Sequence, residues 1–406
     1  MPDFYQHARL PTLHHLADSD VMAREAELAE WSKNKPIVLL LPALYSEFNA
    51  TALPRMMREI SGVPYVSEVV LTVNQASAGQ IDKARSQLAN LLGDKPFTLL
   101  WNDGPALQAV HRELEARGLP DFRHGKGSNI WMGVAHLKAR GTPLTVASHD
   151  TDILSYERGM LWRLCYPVAH PDMPYQFAKG YYGRVGERLY GRMTRLMIFP
   201  LIQAFISVMG NSPLLDHLEG FRYPLSGEFC ADIDALSDVS MPSGWGLEVC
   251  LLSEMFRTLK PERMCQVDLG SNFEHRHRTV SNTPATAAAA EGLIDSAIEV
   301  SRTLANHLLR DKDDSPDVLD QVRQRYVELA NQWVPRYQHD AMLNGLRYDV
   351  EDEQNAVQVF VEALRQAFGS NGHSVHALQC VERPACGPII DQDPALREAL
   401  VAAAIR

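Results

Sequence analysis

The 406-residue chain contains no long apolar run and no paired cysteines. A helix that crosses a bilayer needs roughly 18 or more apolar residues in succession. The longest candidate, residues 196–210, is interrupted by Pro200 and Gln203. The six cysteines form no Cys-x-x-Cys pair, and the first nine residues have no apolar h-region typical of a secretory signal. We therefore expect a cytoplasmic protein with reduced, buried thiols and no contact with a membrane.

Positive charge is also scarce. Thirty-nine lysines and arginines face 50 acidic residues, and the formal net charge is −11. Proteins that bind nucleic acid present basic surfaces to the phosphates, so we expect no nucleic-acid partner. A local basic pocket can still hold a small anion. The apolar fraction of 46% is ordinary for a globular chain, which is long enough to bury a large core.

Apolar runs of strand length alternate with segments of helical periodicity, which predicts an α/β fold with a mostly parallel sheet. The predicted strands include residues 37–41, 66–73, 97–101 and 143–149. Ligands in such sheets bind beyond the carboxyl ends of the strands. Residues 41–43, 73–75 and 150–152 should therefore line one crevice. The predicted organisation is a lead-in (1–35), an α/β domain (36–283) and a helical extension (284–406).

Predictions for the middle of the chain are more local. We expect a loop at 125–127, helices over 154–165 and 190–208, and a turn at 223–229 that leads into a helix.

Asp150-Thr151-Asp152 is the strongest candidate site. The sequence holds five Asp-x-Asp triplets, and most such triplets are solvated turns or helix caps. This one alone directly follows an apolar, β-branched run. Mg²⁺ and Mn²⁺ bind one or two carboxylates together with phosphate oxygens. The triplet therefore predicts a divalent metal on a nucleoside diphosphate.

Two short glycine-containing motifs each permit two interpretations. Gly125-Lys126-Gly127 lacks the spacing of a Walker loop, and it either presents a lysine to a nucleotide or is an exposed turn. Ser226-Gly227-Glu228 either presents a reactive carboxylate or begins a helix, where a glutamate suits the macrodipole.

Two basic segments are equally open. His275, flanked by Arg276 and Arg278, is a metal ligand or a surface histidine. A zinc pair with His277 lacks accompanying cysteines or a His-Glu-x-x-His helix. Gly191-Arg192-Met193-Thr194 either offers an arginine and backbone N–H groups to an anion or begins an ordinary helix.

These segments, in this order, resemble the retaining GT-A-type glycosyltransferases typified by glucosyl-3-phosphoglycerate synthase. The resemblance covers about residues 37–278. Its segments are Leu41-Pro-Ala-Leu44, Gly125-Lys-Gly127, Asp150-Thr-Asp152, Gly191-Arg-Met-Thr194, Pro224-Leu-Ser-Gly-Glu-Phe229, Gly244-Trp-Gly-Leu-Glu248 and Gln266-Val-Asp-Leu-Gly270 with His275.

The resemblance implies a role for each matched position. The nucleotide sugar would contact Pro42, Ala43, Leu44, Glu47, Lys126, Asp150 and Thr151. Asp152 and His275 would hold Mg²⁺ or Mn²⁺, and Asp152 and Glu228 would lie at the reaction centre. The acceptor would contact Gly191, Arg192 and Thr194, and we add Arg276 and Arg278 as cations beside it.

The activity implied by the resemblance is transfer of glucose from a nucleoside-diphosphate glucose to 3-phosphoglycerate, a step towards a compatible solute, by a cytoplasmic homodimer. A mannosyl donor or free D-glycerate as acceptor are the nearest alternatives. A non-catalytic sugar-nucleotide-binding protein and a nucleotidyltransferase that releases pyrophosphate are alternatives of other classes.

The chain departs from the family pattern at three places. The family's Asn-Glu-Glu after Pro-Ala-Leu corresponds to Tyr45-Ser46-Glu47. The family's Asp-Ser-Gly-Ser stretch corresponds to residues 73–77, which contain no aspartate. Phe273 stands where the family has an arginine before the metal histidine, next to a one-residue insertion. Residues 284–406 lie outside the resemblance to the short family members.

Overall fold

An eight-stranded sheet lies at the centre of the fold. The structure is a computed structural model that describes residues 6, 9–17, 19–121, 124–270, 285–310, 316–369 and 381–405. The strand order in the sheet is β1-β9-β6-β7-β5-β2-β3-β4, and β8 and β10 form a separate pair. The strands are β1 (Thr12–Leu13), β2 (Ile37–Leu44), β3 (Val66–Asn74), β4 (Phe97–Trp101), β5 (Thr145–Ser148), β6 (Phe177–Tyr181), β7 (Phe229–Asp232), β8 (Met241–Pro242), β9 (Met264–Asp268) and β10 (Glu382–Arg383).

Helices cover both faces of this sheet. They are α1 (Val21–Trp31), α2 (Ala52–Ser61), α3 (Ala78–Leu92), α4 (Pro105–Ala116), α5 (Lys126–Ala139), α6 (Arg158–Ala169), α7 (Phe199–Met209), α8 (Pro213–Glu219), α9 (Ile233–Ser237), α10 (Leu247–Thr258), α11 (Ala285–Leu309), α12 (Pro316–Leu343), α13 (Val350–Phe368), α14 (Cys386–Asp391) and α15 (Pro394–Ala402). Within the ranges given above, no helix is both long enough and apolar enough to span a bilayer.

The apolar runs predicted as strands are buried on both faces. In β2, Val38 and Leu40 pack into one core, whereas Leu39 and Leu41 pack into the core on the opposite face. Side chains alternate along a strand, so a strand covered on both faces has no polar side and forms a continuous apolar run. The predicted α/β fold with a mostly parallel sheet is confirmed.

Strand β7 is the exception that shapes the site, because it runs antiparallel to both of its neighbours, β5 and β6. Its first residue, Phe229, pairs with Ser148, the last residue of β5. The segment before β7 therefore enters the sheet at the edge where β5 ends. This pairing sets Glu228 beside Asp150.

Four local predictions were wrong. The turn at 223–229 leads into β7 rather than a helix, because a segment of four residues takes its conformation from the strands that it pairs with. Lys126 is the first residue of α5 rather than part of a loop. Helix α6 begins at Arg158 because the apolar residues Ile153 and Tyr156 are buried within the preceding turn. The segment 190–208 divides into a π-helical turn at Met193–Ile198 and α7.

The C-terminal helices share the core beneath one face of the sheet. Tyr326 of α12 is fully buried, and its hydroxyl donates to the Leu196 carbonyl at 2.8 Å. Phe368 of α13 contacts Phe205 of α7 edge-on, with ring centroids 6.4 Å apart. Near the end of the chain, Ile405 exchanges two backbone hydrogen bonds with Leu99 of the edge strand β4. These helices are thus packed against the sheet domain along much of their length.

Candidate active site

The carboxyl end of β5 and the segment before β7 bring two acidic residues together. The backbone N–H of Asp150 donates a long hydrogen bond, 3.4 Å, to Glu228 Oε1. Glu228 is fully buried. A Cβ atom on Gly227 would collide with the Asp150 carboxylate, so this close approach requires glycine.

Lys126 supplies a fixed positive charge at this point. Its Nζ lies 2.5 Å from Asp150 Oδ1 and 2.8 Å from Glu248 Oε1. Burial disfavours the ammonium, but the two carboxylates outweigh burial, and the pKa of Lys126 is raised well above its ordinary value. A Cβ on Gly127 would meet the Pro242 carbonyl, which explains the second glycine of the motif.

The end of β2 lies next to these residues. The Thr151 hydroxyl donates to the Pro42 carbonyl at 3.3 Å, and Asn129 Nδ2 donates to the Ala43 carbonyl at 3.5 Å. Leu44 pairs in register with Asn74 at the end of β3. Glu47 follows in a short 3₁₀ turn. The structure therefore brings together the three strand ends that the sequence places in one crevice.

The other Asp-x-Asp triplets have ordinary structural roles where the structure describes them. Asp20 and Asp393 accept backbone N–H groups at the starts of α1 and α15, and Asp232 pairs with Lys35. These are the caps and ion pairs expected of most Asp-x-Asp matches. Asp18, Asp311 and Asp313 lie outside the described residues.

Three predicted site residues, His275, Arg276 and Arg278, also lie outside the described residues, as does Phe273. The strand before them ends within the described part. The N–H of Gly183 donates to the Gly270 carbonyl at 3.3 Å, so the chain leaves β9 beside the loop that follows β6.

Hydrogen bonds and one aromatic contact join the predicted acceptor segment to Glu228. Thr194 hydrogen-bonds Tyr223, whose ring packs edge-on against Tyr182 at 4.9 Å between centroids. The Tyr182 hydroxyl in turn donates to Glu228. Burial and the neighbouring Glu228 raise the pKa of Tyr182 well above its ordinary value, so the phenol stays protonated and remains a donor.

Arg192, the predicted acceptor ligand, is already bound by the C-terminal extension. Its Nε donates to Glu353 Oε1 at 2.8 Å, and its Nη2 contacts Asp352. Arg195 Nη1 donates to the other Glu353 oxygen at 2.9 Å. Sequence reasoning missed both acids, because the first turn of α13 looks like any helix start that carries several carboxylates.

Lys179 is a second residue that the sequence did not reveal. It lies on β6, is 1% exposed, and its Nζ donates to the Ser226 carbonyl and, at 2.7 Å, to the Ser226 hydroxyl. Burial lowers the pKa of Lys179 to about 8, although Glu248 and Glu228 oppose that shift. Lys179 thus anchors the turn that carries Glu228.

Replacing Lys179 with methionine should reduce kcat by about tenfold or more, because the turn loses a charged hydrogen-bond donor. A second expected result concerns how the free energy of unfolding depends on pH. Between pH 8 and 10.5 the folded chain has lost the Lys179 proton while the unfolded chain retains it. Stability therefore rises with pH in this window, by up to about 3 kcal/mol relative to the variant.

Chemical unfolding of both proteins at pH 7, 8, 9 and 10 measures this difference. Wild-type protein should gain stability relative to Lys179→Met as the pH rises above 8. If the free energies of unfolding of the two proteins change equally with pH over this range, the pKa of Lys179 is not lowered in the folded state.

A separate buried cluster contains the residue types of a metal site, but its hydrogen bonds do not suit a metal. The ligand atoms of Cys250, His307 and Glu382 lie within 4.8 Å of one another. Arg257 Nη1 contacts His307 Nδ1, and a guanidinium can only donate, so that ring nitrogen accepts and Nε2 carries the proton. Nε2 lies 3.0 Å from Glu382 Oε1. We assign this group to the packing of α10, α11 and β10.

Comparison with known proteins places this geometry in a family. No family model matches the chain. A glucosyl-3-phosphoglycerate synthase of Persephonella marina is 34% identical over 368 residues, which cover 90% of each chain. The chain belongs to the glucosyl-3-phosphoglycerate synthase family. A second family member, from Methanococcoides burtonii, is 29% identical over 91% of this chain and 90% of its own.

The fold agrees with that of a solved glucosyl-3-phosphoglycerate synthase from Mycobacterium tuberculosis, in complex with Mn²⁺, uridine-diphosphate-glucose and phosphoglyceric acid. The TM-score is 0.51 at 22% identity, over 75% of this chain and 88% of that one. The GT-A-like fold is therefore confirmed. The match to the Persephonella marina synthase is long enough to extend into the C-terminal helices, which the resemblance to the short family members did not include.

Proposed function

We propose that this chain transfers glucose from a nucleoside-diphosphate glucose to 3-phosphoglycerate with retention of anomeric configuration. One observation carries the proposal. The antiparallel pairing of β7 with β5 sets Glu228 beside Asp150, which pairs with Lys126, at the end of the sheet where α/β folds bind ligands. This arrangement occurs in a chain whose relatives are glucosyl-3-phosphoglycerate synthases.

The carboxylates after β5 fit a divalent metal. Asp150 and Asp152 offer hard oxygen donors at an open strand end, the ligand type that Mg²⁺ and Mn²⁺ prefer. We assign Asp152 and His275 as the residues that would hold the ion, with Asp150 and Thr151 directed to the ribose and phosphates. When bound, the ion would neutralise charge on the departing nucleoside diphosphate.

The protein's own groups position the substrates and stabilise charge. Lys126 adds a preorganised cation where negative charge grows on the leaving diphosphate. Pro42, Ala43 and Leu44 form the wall against which the base lies, with Glu47 nearby. Glu228, which Tyr182 and Lys179 hold in place, orients a hydroxyl of the sugar or the acceptor.

Gly191, Arg192 and Thr194 form the proposed site for the acceptor phosphate, with Arg276 and Arg278 as further cations. Replacing Arg192 with alanine should raise the acceptor KM by about tenfold or more, because a charge-assisted arginine contact contributes roughly 1.5–3 kcal/mol. The donor KM should change little. Steady-state kinetics with each substrate varied in turn measures both constants.

Glu353→Gln is the control for the Arg192 variant, because it weakens the tie to α13 without removing the guanidinium. We expect it to lower the thermal midpoint while the acceptor KM stays within about threefold of wild type. Equal losses for donor and acceptor in Arg192→Ala, or an acceptor KM that rises as much in Glu353→Gln, would count against a binding role for Arg192.

The wider setting belongs to the same proposal. We place residues 36–283 in the catalytic domain and residues 284–406 in a helical extension that supports its acceptor side through Asp352 and Glu353. We further propose a cytoplasmic homodimer whose product leads to a compatible solute.

An activity screen tests the function directly. Uridine- and guanosine-diphosphate glucose and mannose are each incubated with 3-phosphoglycerate or D-glycerate, in Mg²⁺ and in Mn²⁺. The proposal predicts the highest kcat/KM for a glucose donor with 3-phosphoglycerate, together with release of a nucleoside diphosphate. Pyrophosphate release would indicate a nucleotidyltransferase. Donor binding without turnover for every pair would indicate a sugar-nucleotide-binding protein.

A further inference from the structure

Arg184 is a basic residue at the crevice whose guanidinium is not fully engaged. Its Nε is buried and has no hydrogen-bond partner among the described residues. Among the described residues, the guanidinium makes one hydrogen bond, and that bond is long, 3.4 Å from Nη1 to the Tyr223 hydroxyl. A buried guanidinium N–H without an acceptor is costly and marks a position that a ligand can satisfy.

The other cations described around the crevice are already held by acceptors. Lys126 contacts two carboxylates, and Lys179 is bound to Ser226. Arg192 is held by Asp352 and Glu353. Arg184 is therefore the described cation with the most hydrogen-bonding capacity left for an incoming anion.

The surroundings of Arg184 place it at the reaction centre. Tyr223, which it contacts, packs against Tyr182, and Tyr182 donates to Glu228. Asp152 is close enough to act electrostatically on the guanidinium.

The backbone around Arg184 is fixed from two sides. The Arg184 carbonyl accepts the N–H of Tyr190, which closes a small hairpin. The N–H of Arg347, in the C-terminal extension, donates to the Glu187 carbonyl at 2.9 Å. A preorganised cation loses little freedom when it binds a ligand.

We propose that Arg184 binds the carboxylate of the acceptor. This inference rests on the proposed function. In 3-phosphoglycerate the reacting hydroxyl is on C2. This carbon is bonded directly to the carboxylate carbon, whereas the phosphate is attached through the oxygen on C3. The acceptor anion nearest to Glu228 is therefore the carboxylate. Arg184 offers a guanidinium here, and the position where the family has an arginine before the metal histidine is Phe273 in this chain.

Arg184→Gln tests this assignment. Arg184→Lys retains the positive charge but cannot donate two parallel hydrogen bonds to a carboxylate. Arg188→Gln is the matched control, because Arg188 belongs to the same loop and lies over the Tyr190 ring, 5.4 Å from its centroid. The measurements are kcat/KM for 3-phosphoglycerate and for D-glycerate with one donor, and calorimetric binding of 3-phosphoglycerate in the presence of Mg²⁺ and the nucleoside diphosphate.

Both acceptors carry the carboxylate, so Arg184→Gln should lower kcat/KM for both by the same factor of about ten or more. The affinity for 3-phosphoglycerate measured by calorimetry should fall by a similar factor, and the donor KM should stay within about twofold of wild type. The values for Arg184→Lys should lie between those of wild type and Arg184→Gln. Loss confined to 3-phosphoglycerate would overturn the carboxylate assignment, as would unchanged acceptor affinity or a loss equal to that of Arg188→Gln. Wild-type protein that does not glucosylate 3-phosphoglycerate at all would instead refute the proposed function.

Discussion

Replacing Asp152 with alanine should abolish transfer while leaving the fold intact. The side chain is half-buried in the turn after β5 rather than part of the apolar core, so its loss removes a metal ligand without opening a cavity in the core. A metal that neutralises the leaving group contributes several kcal/mol to the transition state. At about 1.4 kcal/mol per tenfold change in rate, kcat should fall by about a thousandfold or more.

The matched control for this variant is Asp391→Ala, because Asp391 belongs to another Asp-x-Asp triplet and its side chain is 62% exposed. That variant should retain wild-type turnover. Thermal unfolding with and without Mn²⁺ gives a second readout, since a ligand that binds the folded state raises its apparent stability. Wild-type-like turnover by a folded Asp152→Ala protein in excess metal would refute the assignment.

Glu228→Gln should produce the second large loss, about a hundredfold or more in kcat with little change in either KM. Glutamine keeps the size of the side chain but replaces one acceptor oxygen with a donor group. The N–H of Asp150 and the hydroxyl of Tyr182 both donate to this side chain, so an amide NH₂ group in place of an acceptor oxygen would oppose these contacts.

Glu219→Gln on α8 controls for the loss of one acidic charge, because Glu219 is exposed and lies outside the site. Near-ultraviolet circular dichroism establishes whether the Glu228 variant retains its tertiary packing. A variant that keeps wild-type kcat and changes only a KM would assign Glu228 to substrate binding alone.

The sequence predicts best what local patterns determine. The strand predicted at Phe97–Trp101 has the observed bounds, because a short, mostly apolar run that ends in a turn has few alternatives. Strand β7 was predicted as a helix, since its conformation depends on pairing with β5, more than 80 residues earlier in the chain. Pairing between distant segments leaves no local periodicity to read.

The same limit applies to the site. Asp150, Asp152, Lys126 and Glu228 were selected because they belong to short motifs beside predicted elements. Lys179 belongs to no such motif. A lysine in a predicted strand suggests an exposed face, and its burial against Ser226 becomes evident only in the folded chain. Glu353 reaches Arg192 across 161 residues of sequence. These contacts come from packing between distant elements, which motif spacing does not record.

In the proposed reaction, a glucosyl group is transferred to the acceptor with retention of its anomeric configuration while a nucleoside diphosphate leaves. Proton and phosphorus NMR of one reaction, containing wild-type protein, uridine-diphosphate-glucose, 3-phosphoglycerate and Mn²⁺, follows both events together. We predict an α-linked glucosyl-3-phosphoglycerate that forms at the same rate as uridine diphosphate. A β-linked product, free glucose as the main product, or release of pyrophosphate would contradict the account.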